Sequence, residues 1–216
     1  GKSLLKIVSN LAIGRIVEAS ATFDKELLGG EQVVESILDA SEFAHNDAYR
    51  AVTSNKGIMN GITAIAIATG QDTRAIESSV HAYASISGRY IPLTTWKKDS
   101  SGNLFGTIKI PIPVGIVGGT ASVHPSSKIC LKILRVKTAA QLSEIMASIG
   151  LAQNLAALRA LVSEGIQEGH MKLHARNIAI SAGAKGKLIE KVTEIMIQEK
   201  DVKFLRAKEL IKELDK

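Results

Sequence analysis

The sequence predicts an α+β fold, in which helices and strands follow one another without regular β-α-β alternation. Three segments predict it. Residues 16–23 alternate like a half-buried strand, residues 57–69 form an apolar, uncharged run typical of a buried helix, and residues 90–112 have the turn chemistry of a hairpin. The chain has 216 residues, 45% of them apolar, which is enough for one sizeable core or a core plus a small appendage. Disorder is therefore excluded for most of the chain.

The N-terminal part predicts one strand and three helices. The strand covers residues 16–23, and a helical spacing of apolar residues follows over 31–45, after a Gly-Gly break. The run at 57–69 is expected to be buried on nearly all sides, with Gly70 as its C-terminal stop. Residues 73–86 complete this part as another helix.

The middle of the chain predicts a hairpin. Residues 90–96 are rich in strand formers, and residues 97–103, Lys-Lys-Asp-Ser-Ser-Gly-Asn, form a polar turn before a second strand over 104–112. This hairpin adds the remaining strands that the α+β class requires.

Two helices follow the hairpin. Pro125 is placed to begin the first of them, because proline is favoured in the first helical turn. Thr138 and Gln141 match a capping box, which predicts the start of a long helix that continues toward Glu164.

The C-terminal part predicts a small lid or subdomain. The apolar pattern weakens around Gly169, and a glycine-containing segment at 183–186 precedes two charged helices at 187–199 and 203–214. Acidic and basic residues interleave there at helical spacing, which favours a solvated helical face over a basic binding patch. We therefore place the domain boundary between residues 168 and 169.

Composition narrows the class of partner. The net charge of +6 is accompanied by few aromatic residues, so nucleic-acid binding is disfavoured. The longest uncharged runs, residues 57–71 and 110–127, are too short or too often broken by Pro and Gly for a membrane-spanning helix. Cys130 is the single cysteine, which fits a reducing compartment, and no targeting segment is visible, so we expect a cytoplasmic protein without a membrane partner.

A lysine between two amides is the first candidate for chemistry. In Asn55-Lys56-Gly57-Ile58-Met59-Asn60-Gly61 the lysine stands at the mouth of the apolar run. An ammonium without a partner is costly to bury, so Lys56 must reach solvent or meet a carboxylate. Asp72 is one such carboxylate, although on a straight helix it lies at the opposite end, and only tertiary folding can bring the two together. A purely structural lysine stays the alternative.

Histidines supply the next candidates. His170 and His174 are four residues apart, but Met171 stands where a metalloprotease has its glutamate and no cysteine cluster supplies ligands, so we expect no metal site. His170 beside Gly169 is either a functional proton donor at a glycine hinge or a surface histidine at a helix end. Two further histidines are interpreted as ordinary satisfied side chains, His81 and His124.

A glycine-rich segment and two amides inside a helix are the remaining features of interest. Gly115, Gly118 and Gly119 follow a strand, but their spacing does not match the dinucleotide fingerprint and no helix is expected immediately after them, so they predict a structural turn. Gln153 and Asn154 interrupt an apolar helix and each needs a hydrogen-bond partner, which either core specificity or substrate contact can provide.

Taken together, seven segments resemble the class II, bacterial-type HMG-CoA reductases, in order, over nearly the whole chain. In chain order they are Asn55-Lys-Gly-Ile-Met-Asn-Gly61, Ala68-Thr-Gly-Gln-Asp72, His81-Ala-Tyr-Ala84, Pro92-Leu-Thr-Thr-Trp96, Pro113-Val-Gly-Ile-Val-Gly-Gly119, Gly150-Leu-Ala-Gln-Asn-Leu-Ala-Ala-Leu-Arg-Ala160 and Glu164-Gly-Ile-Gln-Glu-Gly-His-Met171. Their order and spacing agree with the C-terminal half of that family.

The resemblance implies an oxidoreductase that converts HMG-CoA to mevalonate and CoA with two hydrides from NAD(P)H, or runs the reverse reaction. It implies NAD(H) more than NADP(H) as the cofactor, and a dimer-based homo-oligomer in isoprenoid metabolism. Lys56 matches the family's catalytic lysine, Asp72 its paired carboxylate and His170 the histidine that protonates the leaving thiolate. Substrate-binding positions of the family fall on Arg50 and Asn60.

The departure from the family is large. Its catalytic glutamate and its small nicotinamide-binding domain lie upstream of these residues. By resemblance, residues 1–168 are the C-terminal half of the large, dimerising domain, built around a buried helix, and residues 169–216 are a mobile helical flap. The chain alone is therefore expected to be inactive. The alternative is a catalytically incomplete CoA-binding or assembly module from a split or truncated reductase.

Overall fold

A computed structural model describes residues 1–162 and 166–214, without the side chains of residues 120, 122 and 166–172. The chain divides into two compact units, residues 1–162 and 163–216, which are described separately. The boundary predicted between residues 168 and 169 falls slightly later, inside a helix of the second unit.

The first unit combines helices with a small antiparallel sheet, as the α+β prediction requires. Its strands are β1 (Ile16–Phe23), β2 (Thr94–Lys98) and β3 (Leu104–Pro111). Its helices are α1 (Lys25–Leu28), α2 (Glu31–Asn46), α3 (Ala48–Ala68), α4 (Thr73–Ala84), α5 (Gly119–Val123), α6 (Pro125–Leu134) and α7 (Ala139–Val162), with a 3₁₀ turn at Ile13–Arg15.

The sheet has the order β1-β3-β2, and both pairs are antiparallel. β1 covers the predicted residues, and Ile16 pairs with Pro111 at one end of its register. β2 is shifted from the prediction, because the two lysines assigned to the turn belong to the strand. The ammonium of Lys97 lies 5.0 Å from the centre of the Phe105 ring, and Lys98 pairs with Glu35 on α2. These cross-strand and helix contacts outweigh the polarity that suggested a turn.

One glycine of β3 is required by packing. Gly106 lies opposite Trp96 in the β2–β3 register, and the indole ring covers its Cα so closely that a Cβ there would overlap the ring. The Trp96 side chain is 7% exposed and belongs to the main core. The sheet therefore buries its one tryptophan by leaving out a side chain on the neighbouring strand.

Helix α3 is longer than predicted and is not buried all round. Asp47 caps it, its Oδ1 accepting a hydrogen bond from the backbone N–H of Tyr49 at 3.0 Å. Ile58 and Ile62 are fully buried. Ile67, in contrast, is 68% exposed, so the expectation of burial on nearly all sides is wrong. The apolar run contains mostly small residues, and composition alone does not reveal which of them face solvent.

The long helix α7 packs against α3 in the centre of the first unit. Thr138 accepts a hydrogen bond from the backbone N–H of Gln141 at 3.1 Å, which confirms the predicted cap. By length and composition α7 is the one helix of the described residues that could cross a membrane. Met146 and Leu158 on it are buried in the main core, so its apolar character is accounted for by core packing.

The second unit is a helical bundle with its own core. Its described helices are α8 (Ile166–Ser181), α9 (Lys187–Gln198) and α10 (Phe204–Leu214). α8 runs through Gly169, where the sequence predicts a hinge. A separate apolar cluster includes Ala175, Val192, Met196 and Leu210. Some of the interleaved charges form ion pairs, among them Arg176 with Glu190 and Arg206 with Glu199.

Candidate active site

The open face of α3 carries the predicted catalytic lysine. Lys56 and Asn60 are both exposed and one helical turn apart, so they lie on the same face. Together they line a cavity of about 400 Å³ between α3 and α4. The remaining lining residues are Met59, Thr63, Ala64, Ile67, Glu77 and His81. No described carboxylate forms an ion pair with the Lys56 ammonium, so its charge is available to a ligand.

Buried amides fix the rotation of α3 that exposes this face. The fully buried Asn55 donates from Nδ2 to the carbonyl oxygen of Ile91 at 2.9 Å and accepts at Oδ1 from the N–H of Leu93 at 3.0 Å. Because neighbouring residues of an α-helix point about 100° apart, these two bonds fix a rotation that leaves Lys56 on the open side. Asn55 therefore has a structural role that the sequence did not assign.

A second buried amide joins α3, α7 and β2. Asn154 accepts at Oδ1 from the hydroxyl of Thr94 at 2.8 Å and from the indole N–H of Trp96 at 2.9 Å, and it donates from Nδ2 to Ser54 at 3.2 Å. The expectation that this residue needs partners is confirmed. Of the two roles left open for it, these contacts are those of core specificity.

A chain of polar side chains forms the α4 wall of the cavity. Thr63 donates to Glu77 Oε1 at 2.7 Å, Glu77 Oε2 lies 3.1 Å from His81 Nε2, and His81 Nδ1 lies 2.7 Å from the hydroxyl oxygen of Tyr90. We call these four residues the polar array. Since a carboxylate only accepts, Nε2 carries a proton, and in the neutral ring Nδ1 accepts from Tyr90. Desolvation is the main factor that raises the pKa of Tyr90, which keeps the phenol protonated as this donor.

Arg50 is a half-buried cation near the start of α3. Burial lowers the pKa of its guanidinium from the ordinary value. No described carboxylate forms an ion pair with it. A partly desolvated guanidinium without an internal counter-ion suits a carboxylate ligand, because it presents a planar fork of donors.

Asp72 lies beyond the C-terminal end of α3 and caps α4. Its Oδ1 accepts from the backbone N–H groups of Arg74 and Ala75, both at 3.1 Å. Neither bond uses Oδ2. The capping role alone explains a short acidic residue here, and the exposed carboxylate also has an oxygen that a cation can meet.

Within the described chain Lys56 and Asp72 are not brought together. α3 continues for twelve residues past Lys56 to Ala68, a rise of about 18 Å along its axis. The two residues line different cavities, because Asp72 belongs to one of about 600 Å³ at the far end of the helix. Their pairing, implied by the family resemblance, is therefore not formed between residues of one described chain.

The glycine-rich segment lies beside Asp72 and is tied down by Gln71. The Gln71 amide donates to the carbonyl oxygen of Gly115 at 2.8 Å and accepts from the N–H of Gly115 at 2.9 Å. Gly118 and Gly119 have positive φ values of 78° and 58° and line the same cavity as Asp72. The expectation that no helix follows at once is wrong, because the five-residue α5 begins at Gly119.

The histidine predicted to be catalytic lies outside the described side chains. The backbone of His170 belongs to α8, and nothing further is described of it. Among the described side chains, no three His, Cys, Asp or Glu residues lie together as a metal site would require.

Sequence reasoning did not find the polar array. It interpreted His81 as an ordinary satisfied histidine, and both ring nitrogens do have partners. The available indication was the spacing of Glu77 and His81, four residues apart on one helix face. Thr63 and Tyr90 gave no such indication, because they reach the array from other segments. The contribution of Gln71 was missed for the same reason.

Known proteins resemble this chain in sequence over most of its length. The family described as hydroxymethylglutaryl-coenzyme A reductase matches residues 1–175. The 3-hydroxy-3-methylglutaryl-coenzyme A reductase of Archaeoglobus fulgidus is 55% identical over 214 residues, which is 99% of this chain and 49% of that protein. The probable 3-hydroxy-3-methylglutaryl-coenzyme A reductase of Borreliella burgdorferi is 42% identical over 180 residues, 81% of this chain and 42% of that protein.

Solved structures agree in fold. The reductase of that name from Streptococcus pneumoniae superposes with a TM-score of 0.74 at 43% identity, covering 99% of this chain and 52% of that one. The class II enzyme of the same organism, bound to NADPH in open conformations, gives a TM-score of 0.70 at 42% identity, covering 96% of this chain and 52% of that one. The chain thus spans about half the length of the proteins it matches.

Proposed function

Because this chain belongs to the hydroxymethylglutaryl-coenzyme A reductase family, we propose that it supplies part of the active site of an enzyme that reduces HMG-CoA to mevalonate and CoA, or runs the reverse reaction. The observation that carries the proposal is the shared cavity of Lys56 and Asn60 on the open face of α3. The Lys56 ammonium has no described internal ion pair, so it can stabilise a negative charge that develops on a substrate.

In this reaction Lys56 acts on the thioester carbonyl. Hydride addition to the carbonyl carbon turns the oxygen into an oxyanion, and a preorganised ammonium stabilises that charge more in the transition state than in the substrate. Asn60, one turn away, is suited to donate a second hydrogen bond to the reacting oxygen. Arg50 is suited to bind the carboxylate at the other end of the HMG group.

Asp72 completes the lysine site from a second copy of the chain in this proposal. The rise of α3 separates the two residues within one chain, whereas a neighbouring copy can bring its Asp72 to Lys56. Exposed apolar side chains flank Lys56 on the same face, Tyr49 at 88% and Ile67 at 68% exposure. Such a face is suited to contact between subunits, which supports a dimer-based homo-oligomer.

The nicotinamide cofactor supplies the hydrides. We propose NAD(H) in preference to NADP(H). The described residues do not fit a dinucleotide site at Gly115–Gly119, because the glycine spacing is wrong and α5 has only five residues. We therefore assign the cofactor mainly to a small domain in an upstream half of the enzyme.

We also propose that the enzyme is cytoplasmic, because the single cysteine of this chain, Cys130, fits a reducing compartment.

The proposal is tested with the complete protein, comprising this chain and an upstream half, and with residues 1–216 alone. We expect the complete protein to oxidise NADH when HMG-CoA is added, with a higher kcat/KM than for NADPH. The isolated chain is expected to show no turnover, because it lacks the upstream glutamate and the cofactor domain. Its intact mass must be verified. A complete protein that binds CoA without oxidising either cofactor would favour the alternative, an assembly module.

We further propose that His170 protonates the CoA thiolate as it leaves. A free thiol has a pKa of about 8.5, so an imidazolium is a suitable acid for this step. Replacing His170 by Gln is expected to slow reduction of the thioester far more than reduction of the aldehyde intermediate, which has no thiolate to protonate. Steady-state rates with both substrates measure this. Equal losses on both would contradict the role.

A further inference from the structure

The cavity of Lys56 contains one fixed negative charge. Among its lining residues Glu77 is the carboxylate, and it faces the cavity from α4 while Lys56 and Asn60 face it from α3. Asp72, the carboxylate that the family resemblance pairs with the lysine, lines another cavity. Within one chain, therefore, the anion that shares a cavity with the ammonium is Glu77.

Hydrogen bonds immobilise this carboxylate from two sides. Thr63 on α3 donates to Oε1, and the Nε2–H of His81 donates to Oε2. A carboxylate has about four acceptor positions, so these two bonds leave lone pairs on both oxygens for a third donor. Thr63 lies two turns from Lys56 on the same helix, about 10 Å along the axis. Glu77 and the Lys56 ammonium share the cavity without a direct ion pair, so the carboxylate acts on the ammonium through a bridging water.

His81 is fully engaged in the array and is not a free ligand. Its Nδ1 partner, Tyr90, lies in the segment after α4, and the two rings stack with centroids 6.1 Å apart. The array thus connects α3, α4 and the segment at Tyr90, although the side chains of Glu77 and His81 are each 37% exposed. The Glu77 carboxylate is therefore held in place by hydrogen bonds that involve all three segments, and not by burial.

We propose that Glu77 is a positioning residue for Lys56, held by Thr63 and by the His81–Tyr90 pair so that its carboxylate orients the ammonium from the α4 wall of the cavity. Glu77 acts through the lysine and forms no bond to the reacting atoms. This inference rests on the proposed function, since orientation of Lys56 matters only if the lysine meets a substrate.

The first test is steady-state kinetics of the complete enzyme. Glu77→Gln removes the charge and keeps the shape, and we expect kcat for HMG-CoA to fall about tenfold, the scale of a misplaced catalytic group, with KM changed much less. Tyr90→Phe and Thr63→Val keep the carboxylate and are expected to give smaller losses of kcat. Glu35→Gln is the matched control, because Glu35 forms its ion pair with Lys98 away from the cavity, and it should leave kcat unchanged.

These results separate positioning from stability. Thermal unfolding of each variant identifies loss of folded protein, which a purely structural role would produce without a change of kcat per folded enzyme. Equal kcat for Glu77→Gln and Glu35→Gln, in an enzyme whose wild type reduces HMG-CoA, would overturn the inference and leave the proposed function intact. A wild-type enzyme without turnover would refute the proposed function and with it the positioning role.

The second test measures the protonation of His81 in the polar array and does not depend on enzymatic activity. In ¹⁵N-histidine NMR of the full chain, with His81 assigned through His81→Gln, we expect the neutral ring to carry its proton on Nε2. Tyr90→Phe should shift the Nδ1 resonance by removing its donor, and Glu35→Gln should not. A neutral ring protonated on Nδ1 would overturn the array, and with it the positioning of Glu77, whatever the kinetics show.

Discussion

The two faces of α3 differ in how they are held. On the buried face, Gly61 allows α7 to approach so closely that a Cβ there would lie 2.9 Å from Cγ2 of Ile149, and Asn55 is fixed by two backbone bonds. On the open face, Lys56 has no described internal ion pair. The direction in which Lys56 points therefore depends on the packing of the buried face, because that closely packed face sets the rotation of the whole helix.

Removing the lysine gives the largest expected effect on the open face. Lys56→Ala in the complete enzyme should lower kcat about a hundredfold or more, the scale of losing one preorganised electrostatic contact. Because the side chain is exposed, the free energy of unfolding should stay near that of the wild type. Steady-state kinetics and urea unfolding check the two halves of this prediction. A wild-type kcat would contradict the role of Lys56.

Removing the Asn154 amide tests the buried face. Asn154→Ala leaves the Thr94 hydroxyl, the Trp96 N–H and the Ser54 hydroxyl without their partner. We therefore expect the free energy of unfolding to fall by about 2 kcal/mol. Urea unfolding of the variant and the wild type measures the difference. Asn10→Ala, in the exposed N-terminal segment, is the matched control. An unchanged midpoint would mean that the network adds nothing to stability.

Two glycines on α3, one turn apart, give the smallest and sharpest contrast. Gly61→Ala should destabilise the chain by about 1 kcal/mol, because overpacking against Ile149 and Gln153 exceeds the gain in helix propensity. A Cβ at Gly57 would meet nothing within 4 Å, so Gly57→Ala should stabilise it by about 0.5–1 kcal/mol. Thermal unfolding of the pair checks the signs. Equal signs would mean that the two positions do not differ in packing.

The fold was predictable where local pattern and tertiary packing agree. β1 follows its alternating residues, and α9 lies close to its predicted range. The extent of burial of α3 was not predictable, because small residues fit both a buried and an exposed face. β2 was shifted because Lys97 and Lys98 find partners on Phe105 and α2, contacts that no local pattern contains.

In the candidate site, too, the features set by local spacing were predictable and those set by tertiary contacts were not. The sequence placed Lys56 and two amides, one of them Asn60, at the start of the apolar run, since that relation depends only on local spacing. It left open whether Asp72 meets the lysine, and the continuous α3 answers this for the described chain. The partners of Glu77 and His81 come from α3 and from the segment at Tyr90, so their arrangement depends on tertiary structure.

The order of the sheet has a consequence for how this chain is made. β1 pairs only with β3, so the Ile16–Pro111 end of this pair cannot form until residue 111 has been synthesised. At the usual rate of synthesis on the ribosome, the residues between them take on the order of 10 s to appear. During that time α2, α3 and α4 can form before the β1–β3 pair does. Closure of the sheet is a non-local event that we expect to limit the folding rate.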